Sequence, residues 1–404
     1  MDKKYISQRL KRFCGYLAGV VFCASGILKL LDPVGAGLVM KGYLDFLHLD
    51  FLDFSAKWLA LLFSIVESTI GCSLITGVWR KLTALAAMSL QAFFTILTML
   101  LAIFNPEMDC GCFGEAIKLS HLQTFLKNIV LCLMLVAAFI PLKDLGEPKS
   151  RKYASFAVVM LAVIGFATYS WMYIPLKDYT DYRAGAQLSS AEHADTDTES
   201  PYIAMFTYEK DGIVKTFDIN HLPDSTWTYL STETIENKDY VDYSVGLSIS
   251  DRYGTYHDEI AAKGKVMAVS LYDTDINAAK WEDIFLFISN VERLGMKALV
   301  LISSPEMEKI VAEIPEEIRQ SIEQHLYISD YKTLISLNRS NGGAVYFSDG
   351  YLIRKWASRN LPDMEELTRI ASTSETEILI EHSSLGNLSF QSFLLFIFAM
   401  MLLL

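Results

Sequence analysis

Residues 153–174 run for 22 positions without a charged side chain. A hydrocarbon core about 30 Å thick needs about 20 mainly apolar residues per helix. Lipid offers no partner to a free backbone N–H or C=O, so a stretch of this kind has to be helical. Residues 13–31, 58–78, 82–104 and 122–141 read the same way. A sixth stretch, 385–404, has no polar flank at its far side; its alternative is a tail packed on the membrane surface. The chain is 52% hydrophobic and 20% charged, against about 45–50% and about 25% in soluble domains. That composition excludes a disordered chain, and the net charge of −12 argues against a nucleic-acid partner. The first partner is the lipid bilayer.

The charge is unevenly divided. Residues 1–175 hold 16 Lys+Arg against 11 Asp+Glu, and residues 176–404 hold 19 against 36. Basic residues in short loops set orientation. Eleven lie on one side: Lys3, Lys4, Arg9, Lys11, Arg12, Arg80, Lys81, Lys143, Lys149, Arg151 and Lys152. Lys41, Lys57 and Lys118 are the three on the other. This predicts a multi-pass protein of the bacterial inner membrane, with a cytoplasmic N-terminus and a periplasmic domain over residues 175–384. No small-residue cleavage site follows the first span, which reads as an anchor. Residues 32–54 are too polar to span; Pro33 opens a helix there, and the pattern predicts one lying on the outer leaflet.

In the exported domain, residues 201–229 predict a β-hairpin turning at Lys210-Asp211-Gly212. From residue 265 to 373 the pattern predicts β-α-β-α-β-β-β-α, an α/β sandwich of thioredoxin type. Its expected core includes Trp281, Ile284, Phe285, Ile288, Val291, Leu299 and Leu301, and Pro315 is expected to interrupt the second helix. No cysteine follows Cys132. Where a thioredoxin-type enzyme carries its Cys-x-x-Cys, this chain reads Tyr272-Asp273-Thr274-Asp275. The domain is therefore expected to bind, dock or present, without redox chemistry of its own.

Four of the six cysteines, Cys14, Cys23, Cys72 and Cys132, fall inside expected spans and read as small apolar residues. Cys110 and Cys112 lie in the loop after the third span, in Asp109-Cys110-Gly111-Cys112-Phe113-Gly114-Glu115. On an oxidising face they can pair. Closing a ring across one residue demands a tight bend, which Gly111 permits. Such a bond is strained and readily reduced, as an exchanging pair requires. At least one thiol is then expected to be open to solvent, with Phe113 anchoring the loop at headgroup depth. Two alternatives stand beside the redox pair. One is a metal site of Cys110, Cys112 and His121, whose spacing is loose for zinc; the other is a reduced or structural pair. Asp109 and Glu115 are candidates to tune the thiols, and nearby carboxylates raise a thiol pKa.

Glu67 falls at the middle of the second span, where an acid is costly, so it is expected to be paired, protonated or turned inward. Lys29, Lys127 or Gln91 could meet it. For Lys29 and Lys127, near span ends, the default expectation is snorkelling to the interface.

Together these residues resemble the DoxX/MauE family of four-helix membrane proteins over residues 1–145. The matching parts are Gly26 to Pro33 closing the first span, Glu67 with Gly71, Asp109 to Gly114, and Lys127-Asn128. The resemblance implies a membrane component of thiol or quinol redox work, and MauE is associated with making the disulfide-rich methylamine dehydrogenase. The full layout resembles longer DoxX-type proteins of Bacteroidetes. The expected architecture is a membrane α-helical bundle, four family helices plus spans at 153–174 and 385–404, carrying an exported thioredoxin-like domain that lacks redox cysteines. The expected function is a thiol–disulfide relay through Cys110 and Cys112, acting with a periplasmic or membrane redox partner. Supporting residues are Asp109, Gly111, Phe113, Glu67, Lys29 and Lys127. No haem or nucleotide motif is evident, so a quinone or a second protein would accept the electrons. The rival reading is a non-enzymatic membrane scaffold whose periplasmic domain binds a partner.

Overall fold

The computed structural model describes residues 3–140, 142, 148–188, 202–210, 213–218, 222–223, 226–236, 244–303 and 307–403. Six helices in it are long and apolar enough to cross a membrane. The chain is a multi-pass membrane protein whose helices contact lipid. Helix α1 (Lys3–Leu31) is followed by α2 (Pro33–Phe46) and a short 3₁₀ turn at Asp50–Ser55. Helices α3 (Ala56–Thr76) and α4 (Arg80–Phe104), a short strand β1 (Cys112–Glu115), α5 (His121–Phe139) and α6 (Ser150–Met172) complete the first half.

Small residues bring α1 and α3 together. A Cβ on Gly26 would lie 2.3 Å from Ser68 Oγ, and one on Gly71 would lie 2.3 Å from the Cys23 nitrogen. Apolar helices gain nothing by leaving lipid, so close backbone approach and van der Waals contact hold such pairs. The sequence expected α2 to lie on a leaflet. It packs on α3 and turns Ala36, Val39, Met40, Tyr43 and Leu44 to a cavity. Asp32 caps it by accepting from the Gly35 nitrogen, with Pro33 at its first position.

The second half begins with β2 (Gln187–Leu188) and a three-stranded sheet of β3 (Tyr202–Lys210), β4 (Ile213–Asp218) and β5 (Thr228–Glu236), in the order β4-β3-β5. The expected antiparallel hairpin is β3 with β4, but β5 joins it on the other side of β3. The expected turn at 211–212 lies outside the described residues. Then come β6 (Ser244–Val245), α7 (Glu259–Ala262), β7 (Lys265–Leu271), α8 (Ala278–Arg293) and β8 (Lys297–Ile302). Helices α9 (Met307–Glu313) and α10 (Glu316–Glu323) divide at Pro315 as expected. Strand β9 (Leu326–Ile328), helix α11 (Tyr331–Leu337), β10 (Gly343–Ser348), β11 (Tyr351–Trp356), α12 (Met364–Ser372) and the long α13 (Glu375–Leu403) close the chain.

These strands form a seven-stranded sheet, β6-β2-β11-β10-β7-β8-β9. Strands β7, β8 and β9 run parallel, and β10 is antiparallel to both β7 and β11. Side chains alternate between its faces. Met267, Val269 and Leu271 pack with Trp281, Ile284, Phe287, Ile288 and Val291 of α8. Val266, Ala268, Leu299 and Leu301 pack on the other face with Leu334 and Leu337 of α11.

Two expectations change here. Phe287 occupies the buried stripe of α8 while Phe285 is only partly buried, because positions 281, 284, 287–288 and 291 follow the helical period more closely. Leu299 and Leu301 belong to a core on the opposite face from Ile284, since the sheet is covered on both sides. Helix α13 leaves this domain and runs beside α6, where the Phe393 ring stacks on Phe166 at 4.2 Å.

Candidate functional site

Two stop signals fix the loop between α4 and α5. Asn105 ends α4 in the left-handed conformation at φ +44°, with Pro106 behind it. Ser120 opens α5 with a reciprocal capping box: its hydroxyl accepts from the Gln123 nitrogen, and the Gln123 side chain accepts from the Ser120 nitrogen. Between them Gly111 bends at φ +55°, where a Cβ would lie 2.3 Å from Val39 Cγ1 of α2. The expected bend is present, and both its angle and its clearance require glycine. Cys110 and Cys112 are free thiols with different surroundings.

Cys110 is buried, and its Sγ lies 2.8 Å from Nδ1 of His121, the first residue of α5. His121 Nε2 is 3.0 Å from the Pro106 carbonyl oxygen. A carbonyl only accepts, so this contact assigns the ring proton to Nε2 and leaves Nδ1 to accept from the Cys110 thiol. The Tyr43 hydroxyl donates to the Cys110 carbonyl. Burial pushes the Cys110 thiol above its ordinary pKa; the Thr124 hydroxyl and Lys127 oppose this, while Cys112 and Asp109 add to it. Thr124 Oγ1 is itself buried without a conventional hydrogen-bond partner. A zinc ion with ordinary S and N bond lengths would hold its two ligands about 3.5 Å apart. The direct Cys110–His121 contact is shorter than that, at 2.8 Å. Among the described residues no group of three or more His, Cys, Asp or Glu is arranged to hold a metal.

Cys112 is half-buried and lines an apolar cavity of about 290 Å³ inside the bundle. Phe63 of α3 and Phe93 and Phe94 of α4 form one wall, with Phe63 stacked on Phe93 at 6.4 Å. Cys110, the other thiol, is 4% exposed. Any opening of the pair to solvent therefore falls to Cys112.

The polar groups of the cavity are organised around Glu67, which is 2% exposed. Lys29 Nζ donates to its Oε1 at 2.6 Å. Snorkelling was the default expectation for Lys29; the structure corrects it, since Glu67 offers a full countercharge one helix away. Ser25 Oγ lies 2.7 Å from Glu67 Oε2 and 2.6 Å from the Cys112 carbonyl oxygen. Its single hydrogen serves one of them at a time. Lys127 also lines the cavity, with Nζ 4.7 Å from the Phe113 ring centre. Gln91 does not reach Glu67; its amide donates to the Asn128 carbonyl at 3.2 Å.

One residue absent from any sequence motif joins the halves of the chain. Arg339, between α11 and β10, is 4% exposed in its side chain. Its Nε donates to Asp32 Oδ2 at 2.8 Å and its Nη2 to Glu115 Oε1 at 2.6 Å. Glu115 ends the strand that leaves Cys112, so this carboxylate serves the domain junction. Lys355 of β11 pairs with Asp178, just past α6, at 2.6 Å.

Residues 7–141 match the family model of the methylamine utilisation protein MauE. This segment is a DoxX/MauE-type membrane segment. It contains α2, β1, α3, α4 and α5 together with most of α1, and hence Lys29, Glu67, Cys110, Cys112 and His121. Residues 202–237, covering the three-stranded sheet, match a domain of unknown function, DUF8463. Searches of curated proteins and of solved structures gave no match.

Proposed function

We propose that the chain is an inner-membrane component of a thiol–disulfide relay, with a cytoplasmic N-terminus and its second half in the periplasm. The observation that carries this reading is the position of Cys112, on the wall of an apolar membrane cavity, one glycine away from a thiol held against an imidazole. A periplasmic or membrane partner gives up two thiols to the Cys110–Cys112 disulfide and leaves oxidised. The resulting dithiol returns to the disulfide by losing two electrons and two protons. A quinone in the cavity would supply that two-electron, two-proton acceptor. The cavity is close to the lower end of the roughly 300–1,000 Å³ usual for small-molecule sites. Lys29 spends one N–H on Glu67 and keeps others for a carbonyl oxygen.

Eleven basic loop residues against three support the orientation. The order β8-β7-β10-β11, with β10 antiparallel, supports a thioredoxin-type reading of residues 265–373. Lacking any thiol, that domain serves by position. Arg339 favours a second reading on this point: a scaffold in which the sheet domain is held on the bundle and binds an envelope partner.

Trapping distinguishes the two. Cells carrying Cys110→Ala are quenched in acid, alkylated and resolved without reductant. The relay predicts a Cys112-linked adduct with a partner protein, lost in the Cys110→Ala/Cys112→Ala double variant. No adduct from either single variant overturns the relay and leaves the scaffold.

A further inference from the structure

We infer that His121 is the general base and acid for Cys110, taking its proton through Nδ1 as the sulfur attacks and returning it to the sulfur that leaves. This rests on the relay reading and names the group that makes it chemically competent. A buried thiol close to a carboxylate is a poor nucleophile when left alone, because its thiolate fraction is small. Here the proton has a defined destination. Nδ1 stands 2.8 Å from Sγ, and Nε2 is committed to the Pro106 carbonyl at 3.0 Å. That second contact fixes the ring plane and the tautomer, and it accepts more strongly once the ring is an imidazolium. Both residues are nearly buried, at 4% and 8% exposure, so water does not compete for the proton.

Two further features suit a transient thiolate. His121 and Thr124 lie in the first turn of α5, and the N-terminal end of a 19-residue helix favours negative charge beside it. The Thr124 hydroxyl is buried beside Cys110 with no conventional partner, a donor held ready for a charged sulfur. The other titratable groups around the thiol are Cys112 and Asp109 on the same loop, Lys127 on α5, and Tyr43 on α2.

The step balances. Cys110 S–H passes its proton to Nδ1, the sulfur bonds to one sulfur of a partner disulfide, and the partner's S–S bond breaks. The leaving thiolate takes the proton from the imidazolium. In the opposite direction a partner thiolate attacks the Cys110–Cys112 disulfide at Cys112, and the imidazolium protonates the departing Cys110.

The test needs no partner. The reduced full chain, purified in detergent, is alkylated with iodoacetamide between pH 5 and pH 9.5, and modification at Cys110 is followed by peptide mass. The rate should break well below the ordinary thiol value of about 8.5 and stay nearly flat above the break. In His121→Asn the rate at pH 7 should fall about 100-fold, the lower end of general-base effects, and rise tenfold per pH unit. His121→Asn that unfolds is replaced by the unmutated chain's own profile: a unit-slope rise through pH 9 without a break overturns the inference. So does an unchanged profile in a folded His121→Asn, or no alkylation of Cys110 at any pH. A relay that fails the trapping experiment would leave this alkylation profile intact, so the two failures are separable.

Discussion

Arg339→Ala separates the sheet domain from the membrane bundle at one atom cluster. The native guanidinium is held by Asp32, by Glu115 and by the Ile335 carbonyl, the last at 3.1 Å. Removing it leaves the Asp32 and Glu115 carboxylates facing one another with no cation between them. Losing one partner of a buried pair costs about 3–5 kcal/mol. Glu115 is 29% exposed and recovers some hydration, so the lower end, about 3 kcal/mol, applies. At about 1.4 kcal/mol per decade that is a loss of about 100-fold in the docking equilibrium. Hydrogen–deuterium exchange reads it directly. Amides of residues 33–37 and 112–116 should exchange faster by that order, while β7 and β8 in the sheet core keep their protection. Arg339→Lys should recover only part, since an ammonium lacks the fork that spans two carboxylates. Unchanged exchange at both segments in Arg339→Ala would refute the claim that this residue joins the halves.

Lys29→Met leaves Glu67 buried without its countercharge and should lower stability in detergent by about 3–5 kcal/mol; Lys29→Met with Glu67→Leu should recover most of it, read as thermal unfolding. Gly111→Val puts a β-branched residue at φ +55° against Val39. The left-handed angle and the overpacking together predict a loss of about 2–4 kcal/mol and a slower Cys110–Cys112 closure in a redox buffer. Burial pushes the Asp178 carboxyl up, but Lys355 at 2.6 Å and the Thr180 N–H outweigh it and hold it below its ordinary value. Its contribution is therefore complete above the ordinary value of about 3.9 and is lost as pH falls through the depressed one. Burial lowers Lys355 as well, but acid only supplies the proton its ammonium needs for the pair, so the acid step belongs to the carboxylate. Amides of 174–180 should lose protection below about pH 4, and Asp178→Asn should abolish that step.

The apolar stretches, the βαβ period and the Pro315 break were readable because each is a local pattern with one physical outcome. Helix α11 was not, since Tyr331–Leu337 is seven residues long and carries too few turns to show a period. The loop's bend was legible at Gly111, and the choice of a paired, protonated or inward-turned Glu67, with Lys29, Lys127 or Gln91 as its candidates, followed from the cost of a bare acid in lipid. Which partner did not follow, because Lys29 and Lys127 look alike until α1 and α3 are packed. The Cys110–His121 contact spans eleven residues through an irregular loop, and only the two residue types hinted at it. Arg339 lies 307 residues from Asp32 and 224 from Glu115, a separation at which no sequence spacing carries a signal.

The central claim is that Cys110 and Cys112 cycle between thiol and disulfide. Thiol labelling in intact, aerobically grown cells, followed by titration of the purified chain in glutathione buffers, measures it directly. The relay predicts a mixture of both states in cells and a midpoint within the buffer's range, shifted by Gly111→Val. Thiols that label completely in cells, or a bond that persists in strong reductant, would contradict it.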